Sequence, residues 1–267
     1  MVEEVAALVR EVARTVVLPR FRRLAAADVR EKAPGDVVTV ADAEAERALT
    51  AGLTGLLPGS VVVGEEAVAA DPGVLDRLGD DGAVWVVDPV DGTANFASGR
   101  TPFAVMVALL RGGETAAGWI LDVPGDSMVV AERGAGAFRD GVRITARTDV
   151  PPAGTLTGSV PSRYFPEDLR RRVDAHGPQL GTVTSGKHCA GYEYPAVATD
   201  AQQFALFWKV MPWDHLPGAL IVREAGGAVR HFDGAEYRPG STGPGLIVAA
   251  NPGIWDQVHD TLLPAGR

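Results

Sequence analysis

Apolar residues recur at helical spacing at the start of the chain. Val5, Leu8, Val9, Val12, Val16 and Val17 predict an amphipathic helix from about Glu3 to Leu24, bent near Pro19. Asp42 opens a second such stretch, whose apolar face of Ala45, Ala48, Leu49, Leu53, Leu56 and Leu57 runs until Pro58-Gly59 stops it. From Ala83 to Val87 the pattern becomes a continuous apolar run, as expected of a strand buried on both faces. Pro89 lacks a backbone N–H and is expected to end that strand's ladder just after Asp88. Strand-like segments over 103–110, 115–121, 127–132 and 136–139 are separated by Arg111-Gly112-Gly113, Pro124-Gly125-Asp126 and Gly134, the pattern of an antiparallel meander. After Thr145 strand and helix signals alternate: strand 155–160, helix 166–175, strand 181–185, helix 189–199, strand 203–210, a helix at Asp214, strand 245–249 and a closing helix from Ile254. A soft boundary near residue 147 follows, with an N-terminal α+β half over 1–147 and a C-terminal α/β half over 148–267.

Composition adds bounds. The 267 residues suffice for a substantial core, and 46% hydrophobic with 22% charged residues is ordinary globular usage. A net charge of −9 speaks against nucleic acid as a partner, because a phosphate-binding face needs a basic stripe. The basic clusters Arg20-Phe21-Arg22-Arg23 and Arg170-Arg171-Arg172 sit on predicted helices and read as solvated faces. Cys189 is the sole cysteine, which excludes an intrachain disulfide. Glu3 and Glu4 stand where a signal peptide would be basic, and no apolar run approaches the ~20 residues of a membrane span. A soluble, cytoplasmic protein that engages no membrane is expected.

Candidate chemistry begins where the buried strand ends, in Trp85-Val86-Val87-Asp88-Pro89-Val90-Asp91-Gly92-Thr93-Ala94-Asn95-Phe96. Two carboxylates about 4 Å apart repel by roughly 4 kcal/mol at an effective dielectric near 20. A shared proton would relieve Asp88 and Asp91, and so would a hard cation such as Mg²⁺ bridging their oxygens. The alternative is a surface turn, since Asp-Pro and Asp-Gly are common turn dipeptides. Gly64-Glu65-Glu66 places another acid after the apolar Val61-Val62-Val63. Asp214 precedes an apolar-periodic segment that ends in Gly226-Gly227, and reads as a helix N-cap, a position from which one oxygen can still turn toward a metal.

Taken together, Gly64-Glu65-Glu66, the Trp85–Phe96 segment and Trp213-Asp214 with Gly218 and Glu224-Ala225-Gly226-Gly227 resemble the inositol monophosphatase family. That family belongs to the lithium-sensitive, Mg²⁺-dependent phosphatase superfamily, together with fructose-1,6-bisphosphatases and bisphosphate nucleotidases. Lys32 with Asp36 to Asp42, and Gly134 to Phe138 with Gly141, agree, so the resemblance covers nearly the whole chain. Haloacid-dehalogenase phosphatases also show Asp and Gly-Thr after a buried strand, but with their two aspartates two residues apart. The three-residue spacing of Asp88 and Asp91 argues against a phospho-aspartyl intermediate.

The resemblance implies a layered αβαβα sandwich of the inositol monophosphatase and fructose-1,6-bisphosphatase type, with the site between its two halves. It implies an enzyme that hydrolyses a phosphomonoester with water activated at Mg²⁺. Residue by residue, Glu65, Asp88 and the Val90 carbonyl would hold a first ion, and Asp88, Asp91 and Asp214 a second, with Glu65 sharing a third. Glu65 and Thr93 form the expected catalytic pair, with Asp42 and Thr39 supporting Thr93. Gly92 and Thr93 amides would receive the phosphate, Asp91 and Asp214 would also bind phosphate or substrate, and Lys32 matches a lysine near the metals. Ser185, Gly186 and Cys189 are placed near the leaving group. His215, which follows the expected helix cap, is read as packing or facing solvent rather than as a general acid. By analogy the chain would be a homodimer.

The sequence departs from the family in one place. A glutamate that contacts inositol hydroxyls in inositol-hydrolysing members is replaced by Phe207, which cannot accept those bonds. Lys209, on the same face of a strand, could meet an additional anion. The expected substrate is a small sugar or cyclitol phosphate. A 3'(2'),5'-bisphosphate nucleotide or fructose 1,6-bisphosphate is the alternative, and a non-catalytic regulatory or binding role is the alternative of another class.

Overall fold

The computed structural model describes residues 1–33 and 36–263. In chain order its elements are helix α1 (Val2–Val12), strands β1 (Val29–Ala33) and β2 (Asp36–Thr39), helix α2 (Val40–Leu56), strand β3 (Val61–Gly64), helix α3 (Glu65–Ala70), strand β4 (Ala83–Asp91) and helix α4 (Thr93–Ala97). Strands β5 (Ala104–Arg111), β6 (Glu114–Asp122), β7 (Ser127–Glu132), β8 (Gly136–Arg139), β9 (Val142–Ile144) and β10 (Leu156–Ser159) follow. The remainder is α5 (Glu167–His176), β11 (Gly181–Thr184), α6 (Ala190–Ala198), β12 (Phe204–Phe207), α7 (Pro212–Glu224), β13 (Ala228–Arg230), β14 (Leu246–Ala249) and α8 (Pro252–Leu262).

Five layers result. A seven-stranded sheet runs in the order β3 to β9, antiparallel except for the parallel β3–β4 pair. On one face, Val5, Val9 and Val12 of α1 and Ala45, Leu49 and Leu53 of α2 pack on Trp85, Val87 and Trp119. On the other, Val84, Val86, Met106 and Ile120 meet α6 and α7, whose far sides cover a five-stranded sheet of order β11-β10-β12-β14-β13. Helices α5 and α8 close its outer face. This is the αβαβα sandwich expected from the resemblance. The continuous apolar run of β4 is thereby explained, because alternate residues are buried against helices on both sides. Glu224, the last residue of α7, ties that helix to the seven-stranded sheet by accepting from the Gly134 and Gly136 amides at 2.8 and 2.9 Å.

Several boundaries differ from expectation. The first helix is α-helical only to Val12 and continues as a π-turn over Ala13–Val17 and a 3₁₀ turn over Leu18–Arg20, which accommodates Pro19. Strand β12 stops at Phe207 rather than 210, since the chain must turn to enter α7. Two further differences, in β4 and at Asp214, shape the site.

Candidate active site

Strand β4 does not end at Pro89. It continues to Asp91 through an irregularity in which Asp88 pairs with Met106 and Asp91 with Ala104, so three steps on β4 match two on β5. One extra residue is a β-bulge. Side chains three apart on a regular strand point to opposite faces, and the bulge brings Asp88 and Asp91 to the same one. The Asp88 carboxylate also accepts from the Val90 amide at 3.0 Å.

Asp214 is not the N-cap of its helix. Met211 is, and Pro212 takes the first helical position, where its fixed φ and missing N–H suit it. Asp214 therefore lies inside the first turn and directs its carboxylate at the strand end instead of capping. Oxygens of Asp88, Asp91 and Asp214 lie within 4.8 Å of one another, the group of acids among the described residues whose positions suit a metal ion. Oxygens of Asp88 and Asp214 approach closely enough that a shared proton would relieve their repulsion. Burial first, then the charges of Glu65, Asp91 and Asp214, holds the Asp88 carboxyl well above the usual range. Converging oxygen-only donors, with Asp88 and Asp91 buried and Asp214 half-buried, in excess of nearby cations fit a hard divalent ion.

Asp91 is anchored from the other half of the chain. Its Oδ2 accepts from the Gly191 amide at 2.6 Å and the Cys189 thiol at 2.9 Å, at the N-terminus of α6. Burial raises its pKa while those donors and the Ala190 amide oppose the shift. Cys189 is consequently a buried donor, its thiol pushed well up by burial and by Asp91.

The parallel register Gly64↔Val87 sets Glu65, the first residue of α3, level with Asp88. Glu65 is not part of the triad. Its Oε1 accepts from the Lys32 ammonium at 3.0 Å, and the same ammonium reaches Glu66 at 2.6 Å. Burial pushes the Glu65 carboxyl up to about 7 against the pull of Lys32. Burial likewise opposes the Lys32 charge, but the two glutamates raise its pKa overall. Glu46, which no sequence signal marked, accepts from the Glu66 and Ala67 amides at 2.7 and 2.8 Å and so caps α3. A Cβ on Gly64 would fall 2.3 Å from the Glu46 carboxyl carbon, which explains the glycine.

Gly92 adopts φ +83°, and a Cβ there would meet the Pro102 carbonyl at 3.1 Å. It starts α4, so the Thr93 hydroxyl reaches the Val90 carbonyl at 2.9 Å and Asp42 at 3.2 Å. Asp42 also accepts from the Thr39 amide and hydroxyl at 2.8 and 2.6 Å, in a capping box at the start of α2. Burial pushes its pKa up to about 6 despite Thr39.

Beside the acids opens a cleft of about 200 Å³ that Ser185, Cys189, Phe207 and Lys209 line together with Asp91 and Asp214. Gly186 borders it at φ +70°, where a Cβ would strike Glu193. Sequence reasoning did not single out Ser159, Tyr164 or Trp208, which share the wall. Asn95, quoted only as part of a motif, joins α4 to the cleft loop by donating to the Pro102 and Lys187 carbonyls, each at 2.9 Å. His215 is buried and packed: its ring nitrogens meet the Tyr194 hydroxyl and the Lys209 carbonyl, both at 2.9 Å. Burial lowers its pKa to about 4.

The model of the "Inositol monophosphatase family" matches residues 1–265. An "Inositol-1-monophosphatase SuhB" of Mycobacterium tuberculosis is 33% identical over 248 residues, 85% of this chain and 78% of that protein. A "Nus factor SuhB" of Pseudomonas aeruginosa is 29% identical over 259 residues, 93% of this chain and 91% of that one. The solved structure of "Thermotoga maritima IMPase" superposes with a TM-score of 0.80 at 25% identity, covering 96% of this chain and 94% of that chain. No helix among the described residues is long and apolar enough to cross a membrane.

Proposed function

Because the chain belongs to the inositol monophosphatase family, we propose that it is a Mg²⁺-dependent phosphomonoesterase acting on a small phosphorylated metabolite of the sugar or cyclitol class. The observation that carries the reading is the convergence of Asp88, Asp91 and Asp214, drawn from distant segments, on one point. These three, with Glu65 and the Val90 carbonyl, would hold the ions. When bound, Mg²⁺ supplies positive charge to the phosphoryl oxygens and brings the pKa of water toward neutrality.

The chain's own residues do the rest. Glu65, with its carboxyl near pH 7, is suited to take a proton from the attacking water. The Thr93 hydroxyl orients that water, and is itself placed by Asp42 and the Val90 carbonyl. Amides of Gly92 and Thr93, at the start of α4, have no intrahelical partner and receive the phosphate. Asp91 stays fixed during turnover through Gly191 and Cys189.

A panel of phosphorylated metabolites assayed with Mg²⁺ and with chelator tests the reading. It predicts phosphate release that requires the ion. The similarity to a protein named as a Nus factor favours a second reading, a binding or regulatory role. That role predicts no Mg²⁺-dependent release from any member of the panel.

A further inference from the structure

The cleft changes character with distance from the acids. Asp91 is buried, whereas Lys209 and Tyr164 are exposed at the rim. The walls include Pro161, Phe207 and Trp208. The Phe207 ring is held in place by stacking on Tyr194, with centroids 5.3 Å apart and planes 6° from parallel. The rings themselves offer a polyol little. The carboxylate here outside the metal-binding group, Glu193, is buried, and its two oxygens already accept from the Lys187 amide at 2.7 Å and the Gln202 amide group at 2.6 Å. Ser159, Ser185 and His188 also line the cleft, but hydroxyls of a neutral leaving group that lie against the Phe207 and Trp208 rings find no replacement for their hydration there.

An anionic leaving group meets a different partner. Lys209 is the only lysine or arginine among the described residues lining the cleft. Its ammonium sits 6.0 Å from the centre of the Tyr164 ring, a contact that holds the charge at the rim without neutralising it. Its backbone is fixed as well, since its carbonyl accepts from His215, the residue after Asp214. The cation thus has a set position relative to the metal-binding acids.

We infer that this cleft selects phosphomonoesters whose leaving group carries a second anionic group, a second phosphate or a carboxylate, and that Lys209 determines the selection. The inference rests on the phosphomonoesterase reading above. Matched pairs test it with the full chain in Mg²⁺ at low ionic strength: fructose 1-phosphate against fructose 1,6-bisphosphate, and glycerol 3-phosphate against 3-phosphoglycerate. In at least one pair the anionic member is expected to have a kcat/KM about tenfold higher, through KM. That ratio falls to about one in Lys209→Met and recovers in Lys209→Arg. The pair that shows it tells phosphate from carboxylate.

A ratio at or below one in both pairs, or a ratio that Lys209→Met leaves unchanged, overturns the inference while the phosphomonoesterase reading stands. Hydrolysis of p-nitrophenyl phosphate but of none of the four overturns it likewise. Absence of Mg²⁺-dependent release from all five compounds overturns both.

Discussion

Asp91 accepts a 2.6 Å hydrogen bond from the backbone amide of Gly191, a residue one hundred positions further along the chain. The bond places a carboxylate of the seven-stranded sheet at the N-terminus of α6, where helix dipole and free amides favour its charge. Packing at this point is tight. A Cβ on Gly191 would come within 2.5 Å of the Ala104 Cβ and 3.1 Å of Asp91 Oδ2. Gly191→Ala is therefore expected to destabilise the protein by about 1–3 kcal/mol. Urea unfolding in chelator measures that loss, and a Mg²⁺ titration of the same variant should show weaker binding.

Thr93 is expected to act through its hydroxyl. Thr93→Val keeps the shape and removes the bonds to Val90 and Asp42. It should lower kcat by roughly 10²–10⁴, while Thr93→Ser stays within about tenfold of the parent. Equal kcat for the valine and serine variants would exclude a role for the hydroxyl.

Burial and three neighbouring acids hold the Asp88 carboxyl well above the usual range. Asp88→Asn replaces a carboxyl whose ionisation the metal-free site resists, so its melting temperature in chelator at pH 8 should exceed that of the parent. In Mg²⁺ the order should reverse, because the variant lacks a ligand. Differential scanning fluorimetry under both conditions reads the two signs.

The pH dependence follows from carboxyls raised in the fold, Asp42 to about 6 and Glu65 to about 7. Groups of this kind bind more protons folded than unfolded. Their stabilisation is complete below the unfolded values near 4 and is lost as pH climbs through 6 and 7. Metal-free protein should thus melt at lower temperature at pH 8 than at pH 5. Mg²⁺ replaces those protons, so its stabilising increment should grow over the same range. An increment independent of pH would contradict the assignment of these acids to the metal region.

Much of this was legible in the residues. Acids that follow apolar runs at Glu65 and Asp88 marked two strand ends, and the parallel pairing of β3 with β4 puts those ends side by side. The αβαβα layering came with the family resemblance rather than with periodicity. The bulge between Asp88 and Asp91 left no trace, because one added residue alters register and not composition. Pro89 suggested a strand end for the same reason: its missing N–H costs a ladder bond, but a bulge tolerates that loss. Asp214 read as a cap because Asp is common there, although Pro212 two residues earlier was the stronger start signal. Glu46 lies among alanines on a helix and looks solvent-facing, yet it is buried under α3. The anchoring of Asp91 by α6 joins residues too distant for any local pattern to link.

The central claim is that acids from both halves of the chain hold a divalent cation on which hydrolysis depends. Calorimetric titration of Mg²⁺ into chelator-treated parent and Asp214→Asn, with phosphate release followed in the same samples, tests it most directly. Activity in the parent should rise with saturation, and the variant should lose at least about tenfold in both affinity and rate. Phosphate release that persists without metal, or Mg²⁺ binding unchanged by Asp214→Asn, would contradict the account.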